Sequence, residues 1–456
     1  MHYHIDKTAA QSAYLQLYHQ LRRDIVSGVY PLGTKLPSKR LIAGETGVSV
    51  ITVEHALAIL CDEGYLESRE RSGFFVSFAA ADCFPVSEME NDRRALSLHG
   101  TEDEFPFPSL AKTMRRVLSE YGESILVKSP NNGCAGLRGA IAAYLSRSRG
   151  ISVQPGQIVI GSGAEYLYGL IVQLLGRERV FALEDPSYDK IRRVYQAQGV
   201  RCEMLRLGSD GIRSDELSRA TATVLHVTPF HSFPSLVTAS AGKRREYLCW
   251  AEERGGYIVE DDFDSEFSVS SKSEDTLFSL EPNRSVIYMN TFSKTIAPSI
   301  RISYMVLPHR LLAAFREKLG FYASTVSGFE QYTLARFMAE GYYEKHLNRM
   351  RKRYHQKRDA VIACIRGGPL AERARITEED AGLHFLMTLD TTLPDGVLRR
   401  RAAQRGVRLA MLSEYYNDPD DAPPHVLVVN YSGIDIEKLP RALTRLAEIG
   451  EEQDHA

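Results

Sequence analysis

The segment NTFSKTIAPSIRISYMV, residues 290–306, decides the fold class of the larger part of this chain. Lys294 comes directly after the strand-like run SVIYMN, and the next apolar run, ISYMVL, follows it. Helix-like segments lie between most of the short apolar runs that recur from about residue 98 onward; the runs are QIVI, RVFALE, TVLHVT, YIVE, SVIYMN and ISYMVL, ending at Ile160, Glu184, Thr228, Glu260, Asn290 and Leu307. This alternation predicts an α/β architecture with a mainly parallel sheet covered by helices on both faces.

Residues that follow these runs carry the chemistry of a cofactor site, because ligands of such sheets bind outside the carboxyl ends of the strands. The Lys294 amine can form a Schiff base with an aldehyde cofactor. Thr291, Ser293 and Arg301 can bind a phosphate, the arginine through charge-assisted hydrogen bonds. Asp261, in YIVEDDFDSEF, can hold a pyridine nitrogen protonated and so keep the ring an electron sink.

Two further segments complete this candidate site. In VIGSGAEYL, the residues Ser162, Gly163 and Ala164 stand between a strand and a helix, whose first backbone amides form an anion site. In LEDPSYDKIRR, Tyr188 follows a strand and can stack on the cofactor ring. A lone lysine after a strand is usually a surface residue, a lone GSG is usually a turn, and a lone aspartate there is often a helix cap. Together, in this order and at strand ends, these features favour a cofactor site over coincidence.

Residues 12–77 have a different pattern, in which helical periodicity gives way to a short hairpin. An apolar stripe at helical spacing runs from Tyr14 to Ile25. Ser38 can cap a short second helix, and Ser49 can cap a third one after a glycine-containing turn. YLES and FFVS then flank a turn that ends at Gly73. The pattern predicts an α+β winged helix-turn-helix whose third helix enters the major groove of DNA.

The stretch from Leu17 to Val76 closely resembles the GntR-type winged helix, and its spacing is specific. The resemblance implies a double-stranded DNA operator as partner. It places Ser38, Lys39 and Arg40 near phosphates, Ser49, Thr52 and His55 on the outward start of the recognition helix, and Arg69, Arg71 and Gly73 on the wing. The family usually has arginine after the capping serine, and here Val50 takes that place. A hydrophobic contact, for example to a thymine methyl group, can replace guanine readout there.

The alternative is a small winged helix that is used for protein contacts. Residues 1–78 contain eight Lys or Arg and eight Asp or Glu, so the module is not basic overall. DNA binding is favoured because cap, turn and wing all follow the pattern.

The large part resembles fold-type I aminotransferases, which are three-layer α/β proteins that bind pyridoxal 5'-phosphate (PLP). The large part is joined to a GntR-type domain and contains the segments EDDFDSEF and TFSKTIAPSIRISYMVLP. In both respects the chain is similar to the MocR (GabR-like) subfamily of transcription regulators. The resemblance implies a Schiff base of PLP on Lys294, Asp261 on the pyridine nitrogen, Tyr188 against the ring, and Arg301 with the 162–164 loop on the phosphate. It also implies a head-to-tail homodimer whose cofactor sites lie near the subunit interface.

Several positions depart from the aminotransferase pattern. In HSFPSL, Phe233 and Leu236 take the places of the Asn and Gly of an Asn-Pro-x-Gly segment, and Phe263 takes the place of a tyrosine after the ring aspartate. The two side chains at the positions that tune the ring hydroxyl, Phe233 and Phe263, are thus apolar. We still expect Phe263 to lie beside the cofactor. Lys128 takes the place of the tyrosine through which the partner subunit binds the phosphate.

The substrate-carboxylate arginine of aminotransferases is also missing. Val428, in HVLVVNYSG, takes its position, and residues 406–440 contain Arg408 as their only arginine. Another cation could come from Lys190, His231 or His425. Without a bidentate clamp an amino acid is poorly oriented, which argues against efficient turnover.

Length and composition set the outer limits of this reading. The 456 residues suffice for two or three domains, and we expect boundaries at residues 1–77, 78–97 (a linker) and 98–456. The net charge of −2 does not by itself advertise nucleic-acid binding. Six scattered cysteines without a CxxC pair, no apolar run of membrane-spanning length and no secretory signal predict a cytoplasmic protein that binds no structural metal.

Three hypotheses follow. The first is a PLP-responsive regulator in which an amino compound, or PLP itself, shifts the dimer and repositions the DNA-binding heads. The second is a working aminotransferase whose head only tethers it to DNA. The third is a regulator whose large domain has lost cofactor binding and only dimerises.

Overall fold

The computed structural model describes residues 3–6, 11–69, 72–78, 105–263, 265–267, 275–281, 284–297, 299–377 and 382–451. The chain divides into two compact units, Met1–Leu98 and His99–Ala456. Arg71, which the sequence places on the wing, lies outside the described residues, as do residues 79–97 of the expected linker.

The N-terminal unit contains the three helices and the hairpin that the sequence predicts. Its elements are α1 (Ala13–Val26), α2 (Lys39–Thr46), α3 (Val50–Asp62), β1 (Leu66–Arg69) and β2 (Gly73–Val76). Ser38 Oγ accepts the backbone N–H of Leu41, and Ser49 Oγ accepts that of Thr52, so both serines cap their helices. Gly47, with φ 65°, ends α2 in the left-handed conformation and makes the turn to α3.

Apolar side chains from all of these elements meet in one core, which includes Leu17, Leu21, Ile25, Val53, Leu57, Leu60, Leu66 and Val76. β1 and β2 pair antiparallel, with Leu66 opposite Val76 and Arg69 opposite Gly73. Gly73 has φ 108°, and a Cβ there would lie 3.3 Å from the Lys35 side chain, so the hairpin favours glycine at this position. The predicted winged helix-turn-helix is therefore confirmed.

The C-terminal unit alternates helices and strands along most of its length. Its helices are α4 (Phe107–Tyr121), α5 (Ala135–Arg149), α6 (Ala164–Leu175), α7 (Asp189–Ala197), α8 (Ser214–Arg219), α9 (Ala241–Glu253), α10 (Leu277–Leu280), α11 (His309–Leu319), α12 (Gly328–Ala339), α13 (Tyr342–Arg366), α14 (Asp395–Gln404) and α15 (Leu439–Glu451). Its strands are β3 (Ile158–Gly161), β4 (Val180–Asp185), β5 (Arg201–Gly208), β6 (Gly211–Ile212), β7 (Val224–Val227), β8 (Tyr257–Asp261), β9 (Val286–Thr291), β10 (Ser303–Val306), β11 (Ala374–Thr377), β12 (His384–Leu389) and β13 (Val426–Asn430).

The central sheet has eight strands among the described residues, in the order β3-β10-β9-β8-β7-β4-β5-β6. Neighbours from β9 through β8, β7 and β4 to β5 are parallel, whereas β10 runs antiparallel to both β9 and β3. All six predicted runs form strands of this sheet. β5 was not predicted, because its sequence RCEMLRLG places charged residues among the apolar ones.

Helices cover both faces of this sheet, so the α/β three-layer architecture is confirmed. One apolar core lies on the side of α5, α9, α12 and α13, and the other lies on the side of α6, α7 and α11. A smaller antiparallel sheet, in the order β11-β12-β13, has its own core with α14, α15 and the end of α13. No single described helix is long and apolar enough to cross a membrane; α2 and α3 meet that test only as a pair, across a bend of 117°.

Candidate functional site

The carboxyl ends of β4, β7, β8 and β9 and the starts of α6 and α7 surround a cavity of about 290 Å³. Because these four strands are parallel neighbours, residues far apart in sequence meet at one edge of the sheet. The lining includes most residues that the sequence assigns to a cofactor, namely Ala164, Tyr188, Asp261, Phe263, Thr291, Ser293, Lys294 and Arg301. Ser162 and Gly163 form the turn that precedes Ala164.

The turn after β9 holds its hydroxyl groups in a defined set of hydrogen bonds. Thr291 Oγ1 accepts from Ser303 Oγ at 2.8 Å and from the backbone N–H of Ser293 at 3.2 Å. The Ser293 hydroxyl donates to the carbonyl oxygen of Ile300 at 3.1 Å. A phosphate only accepts hydrogen bonds, so Ser293 has to turn its O–H away from Ile300 to donate to one. Lys294 follows in the same turn and lines the cavity.

Asp261, the last residue of β8, presents a buried carboxylate to the cavity. Its Oδ2 accepts from Tyr168 Oη at 2.5 Å and lies 3.6 Å from His226 Nε2. Burial and the adjacent Asp261 charge raise the pKa of Tyr168 well above its ordinary value, so the phenol stays a donor. His226 Nε2 is buried and makes no hydrogen bond within the described part of the chain. A cationic or N–H-bearing group in the cavity would complete this polar set.

The next residue, Asp262, points to the opposite side of the sheet. Arg149, from the end of α5, donates to its two carboxylate oxygens at 3.0 and 2.8 Å, and Tyr288 Oη donates at 2.6 Å. Consecutive strand residues face opposite ways, so the two adjacent carboxylates serve different surroundings. Asp261 faces the cavity, and Asp262 binds α5 to the sheet.

Gly163 brings the phosphate-binding candidates into close contact. It caps α6 with φ 96°, and a Cβ at this position would overlap the guanidinium of Arg301. Only glycine therefore lets Arg301 lie against the start of α6. The amide of Ser162 donates to Thr325 Oγ1 at 3.2 Å, and that of Gly163 donates to Gly161 O at 3.0 Å. The amides that follow in α6, together with Arg301, therefore remain as candidates for the predicted anion site.

The residues present fit PLP. A lysine, a buried carboxylate, a helix start with an arginine against it and a tyrosine wall all line one cavity. At one side of the cavity, Gly163 leaves the space that the Arg301 guanidinium occupies. At another side, the buried His226 Nε2 has no hydrogen-bond partner in the described part of the chain.

Two acidic residues that line this cavity, Glu165 and Glu184, were not predicted from the sequence. Glu165, in the first turn of α6, pairs through one carboxylate oxygen with Arg301 and through the other with Lys190. Glu184 is fully buried and accepts from Ser232 Oγ at 2.8 Å and from the backbone N–H of Thr228 at 3.1 Å. Burial raises the pKa of Glu184 to about 8, so a largely neutral carboxyl group lines the cavity near neutral pH. A charged residue inside an apolar run gives the only sequence signal for Glu184.

The other end of the cavity is aromatic. Phe233 lies edge-on to Tyr188, His384 and Tyr415, with ring centroids 6.1, 5.0 and 5.2 Å away. Burial lowers the pKa of His384 to about 4, so this imidazole is neutral at physiological pH. Its Nε2 lies 3.1 Å from the carbonyl oxygen of Pro234.

Val428, the residue at the expected carboxylate-clamp position, is buried in an apolar cluster. Its partners there are Leu236, Leu386, Leu412 and Val426. Of the three alternative cations, Lys190 pairs with Glu165 beside Arg301, on the predicted phosphate side. His425 lies 3.5 Å from Asp395 and lines a different cavity. His231 lies two residues before Phe233, and its backbone N–H donates to Thr238 Oγ1 at 3.2 Å.

In the N-terminal unit, the start of α3 exposes apolar side chains. Val50 is 41% exposed and Ile51 is 78% exposed, directly after the capping Ser49. The hydroxyl groups of Ser49 and Thr52 lie 2.8 Å apart and bond each other. The ring of His55 stacks on Tyr14, with centroids 4.1 Å apart.

The predicted phosphate contacts of this unit have different surroundings. Arg40 is exposed, whereas Lys39 pairs with Glu54 of α3. On the wing, the guanidinium of Arg69 lies 4.5 Å from the centre of the Phe75 ring and pairs with Glu67 at 3.2 Å. The roles of these residues on DNA remain predictions.

Comparison with known families agrees with this organisation. Residues 13–76 match the family described as bacterial regulatory proteins, gntR family. Residues 97–446 match the family described as aminotransferase class I and II.

Whole-length relatives carry the same pair of domains in the same order. The HTH-type transcriptional regulator YdeL of Bacillus subtilis is 33% identical, over 97% of both chains. The probable rhizopine catabolism regulatory protein MocR of Rhizobium meliloti is 29% identical, over 97% of this chain and 94% of that one. The pyridoxine biosynthesis transcriptional regulator PdxR of Corynebacterium glutamicum is 29% identical, over 88% of each chain.

Among solved structures, the α-aminoadipate aminotransferase LysN of Thermus thermophilus is similar in fold. It is 26% identical, with a TM-score of 0.66, over 77% of this chain and 90% of that one. That structure contains N-(5'-phosphopyridoxyl)-L-leucine.

Proposed function

Since the chain belongs to the HTH-type transcriptional regulators that join a GntR domain to an aminotransferase class I and II domain, we propose that PLP held at Lys294 controls its binding to DNA. The chain is thus a DNA-binding regulator with an aminotransferase-type domain. The observation that carries the proposal is that Lys294, Asp261 and Arg301 line the same cavity.

Each of these residues has a defined task in the proposed site. Lys294 would hold PLP through its side-chain amine, and PLP would supply an aldehyde and an electron-withdrawing ring. Asp261, fixed by Tyr168, keeps a proton on the ring nitrogen. Arg301 and the first amides of α6 bind the phosphate. Tyr188, which precedes α7 and lines the cavity, would lie against the ring.

The surroundings favour PLP itself, or an amine without an α-carboxylate, as the sensed compound. Val428 and its apolar neighbours leave no bidentate cation at the clamp position, and the nearby His384 is neutral. The relative named PdxR regulates pyridoxine biosynthesis, according to its name. For this chain we propose PLP or a related vitamer as the effector.

The proposed regulator acts as a homodimer, and two exposed apolar side chains support this. Leu126 is 82% exposed and Phe321 is 72% exposed, on segments that Asn131 joins by donating to Gly320 O at 2.6 Å. Tyr322, in the second segment, donates to Gln173 of α6 at 3.0 Å. A second copy that covers these apolar side chains would give the proposed homodimer part of its interface.

The cofactor claim is tested by spectroscopy of the full-length protein. With PLP it should show a band above roughly 400 nm, as expected for a lysine Schiff base. Borohydride should fix the adduct on Lys294. Absence of both the band and the adduct refutes the cofactor claim, whereas sustained turnover of amino and keto acids would favour an aminotransferase instead.

A further inference from the structure

The carboxylate of Glu165 lies against Arg301, the cation that we assign to the phosphate of PLP. It stands in the first turn of α6, at the helix end whose amides attract anions. One of its oxygens contacts the Arg301 guanidinium, and the other contacts the Lys190 ammonium. All three side chains line the Lys294 cavity. The chain therefore places an anion of its own on the cation that the phosphate of PLP requires.

Two features make this competition direct. Arg301 lies so close to Gly163 that a Cβ there would overlap its guanidinium, and its Nη2 already contacts the Glu165 carboxylate. Burial would raise the pKa of Glu165, but the hydrogen bond from Lys190 and the charges of Arg301 and Lys190 lower it below its ordinary value. Glu165 is therefore ionised at neutral pH, and a dianionic phosphate meets a like charge beside Arg301.

We propose that Glu165 sets the affinity for PLP by competing with its phosphate for Arg301. Lys190, at the start of α7, is a positioning residue that holds Glu165 when the phosphate takes over Arg301. A tightly bound cofactor reports nothing about its concentration, whereas a weakened site responds to it. This inference rests on the proposed function, because it explains how a PLP-type fold can act as a sensor.

The test compares PLP with pyridoxal, which has the same aldehyde and ring but no phosphate. Glu165→Gln should bind PLP at least about tenfold more tightly, or ~1.4 kcal/mol, and should bind pyridoxal as the wild type does. Lys190→Met should weaken PLP binding, and the double variant should recover most of that loss. Glu252→Gln removes an exposed carboxylate that pairs with Arg284 and should change neither affinity.

Affinities are measured from the Schiff-base absorbance of the full-length protein, and thermal melting checks that each variant folds. Glu165→Ala serves as a second variant if Glu165→Gln is unstable. PLP binding that is unchanged or weaker in the folded Glu165 variants overturns the inference, as does equal tightening of PLP and pyridoxal. If the wild type forms no adduct on Lys294, the proposed function fails first and this inference fails with it.

Discussion

Replacing Arg149 with leucine should destabilise the C-terminal unit by about 3–5 kcal/mol. This is the usual cost of removing one partner of a buried ion pair and leaving the other charge uncompensated. Asp262 is 1% exposed and Arg149 is 12% exposed, and two hydrogen bonds at 2.8 and 3.0 Å join them. After the substitution the carboxylate keeps one strong donor, Tyr288 Oη at 2.6 Å. One bond from a phenol cannot replace a buried charge, so most of the desolvation cost stays uncompensated.

The sole tryptophan of the chain provides a selective assay for this loss. Trp250 is buried in α9, and its Nε1 donates to Leu217 O at 3.1 Å, so its fluorescence follows unfolding of the C-terminal unit alone. Urea titrations give the free energy of unfolding. Arg284→Leu is the matched control, because it breaks an exposed pair with Glu252 and should cost less than ~1 kcal/mol.

A double variant separates the buried charge from lost packing. Arg149→Leu with Asp262→Asn removes both charges, and it should recover more than half of the stability lost in Arg149→Leu. The reasoning fails if Arg149→Leu lies within ~1 kcal/mol of the wild type, or if the double variant is as unstable as the single one.

Three other predictions concern DNA, ligands and pH. Arg40→Ala should weaken binding to all DNA sequences alike and lower the salt slope by about one unit, whereas Thr52→Ala should change the sequence preference. Mobility shifts across a salt series measure both, and an Arg40→Ala protein with unchanged affinity and slope contradicts the placement. With Val428 at the clamp position, α-amino acids should bind on the order of a hundredfold more weakly than to an arginine-clamped site, since two bonds of roughly 1.5–3 kcal/mol each are missing. Saturable, micromolar spectral shifts with several amino acids would show that another cation does this work. Burial, and then the charge of Asp262, raise the pKa of Glu260 from 4.5 to about 8, so the folded state holds a proton that the unfolded state releases. Stability should therefore fall as pH rises from about 4.5 to about 8, and Glu260→Gln should make this fall less steep in urea titrations, with Glu184 accounting for part of what is left; an unchanged slope excludes Glu260 as a source.

The sequence predicted those parts of the fold whose signals are local. Ser38 and Ser49 predict where their helices begin, because a serine hydroxyl group accepts a hydrogen bond from a free amide in the first turn of a helix. The six strand runs are apolar because parallel strands are covered on both faces. β12 and β13 were not assigned, because they lie in a small antiparallel sheet whose pairing is settled by contacts between distant segments. β5 was not assigned either, because charged residues interrupt its apolar pattern.

The candidate site was predictable where residues follow strands, because topology brings strand ends together. Lys294, Asp261 and Tyr188 could be named because they occur together, each after a strand, whereas any one of them alone would have had an ordinary structural explanation. The ion pairs of Glu165 could not, since they depend on the approach of α6, α7 and the turn before β10 in space. Lys190 had been considered as a substitute for the missing clamp arginine, and its pairing beside Arg301 instead assigns it to the predicted phosphate side.

The most direct test of the central claim couples ligand to DNA. An operator is selected from random DNA with the full-length protein, and its affinity is measured by fluorescence anisotropy across a PLP titration, for the wild type and Lys294→Ala. We predict that PLP changes the operator affinity of the wild type and leaves that of the folded Lys294→Ala protein unchanged. The account is contradicted if both proteins respond alike, or if PLP occupies Lys294 in the wild type without any change in operator affinity.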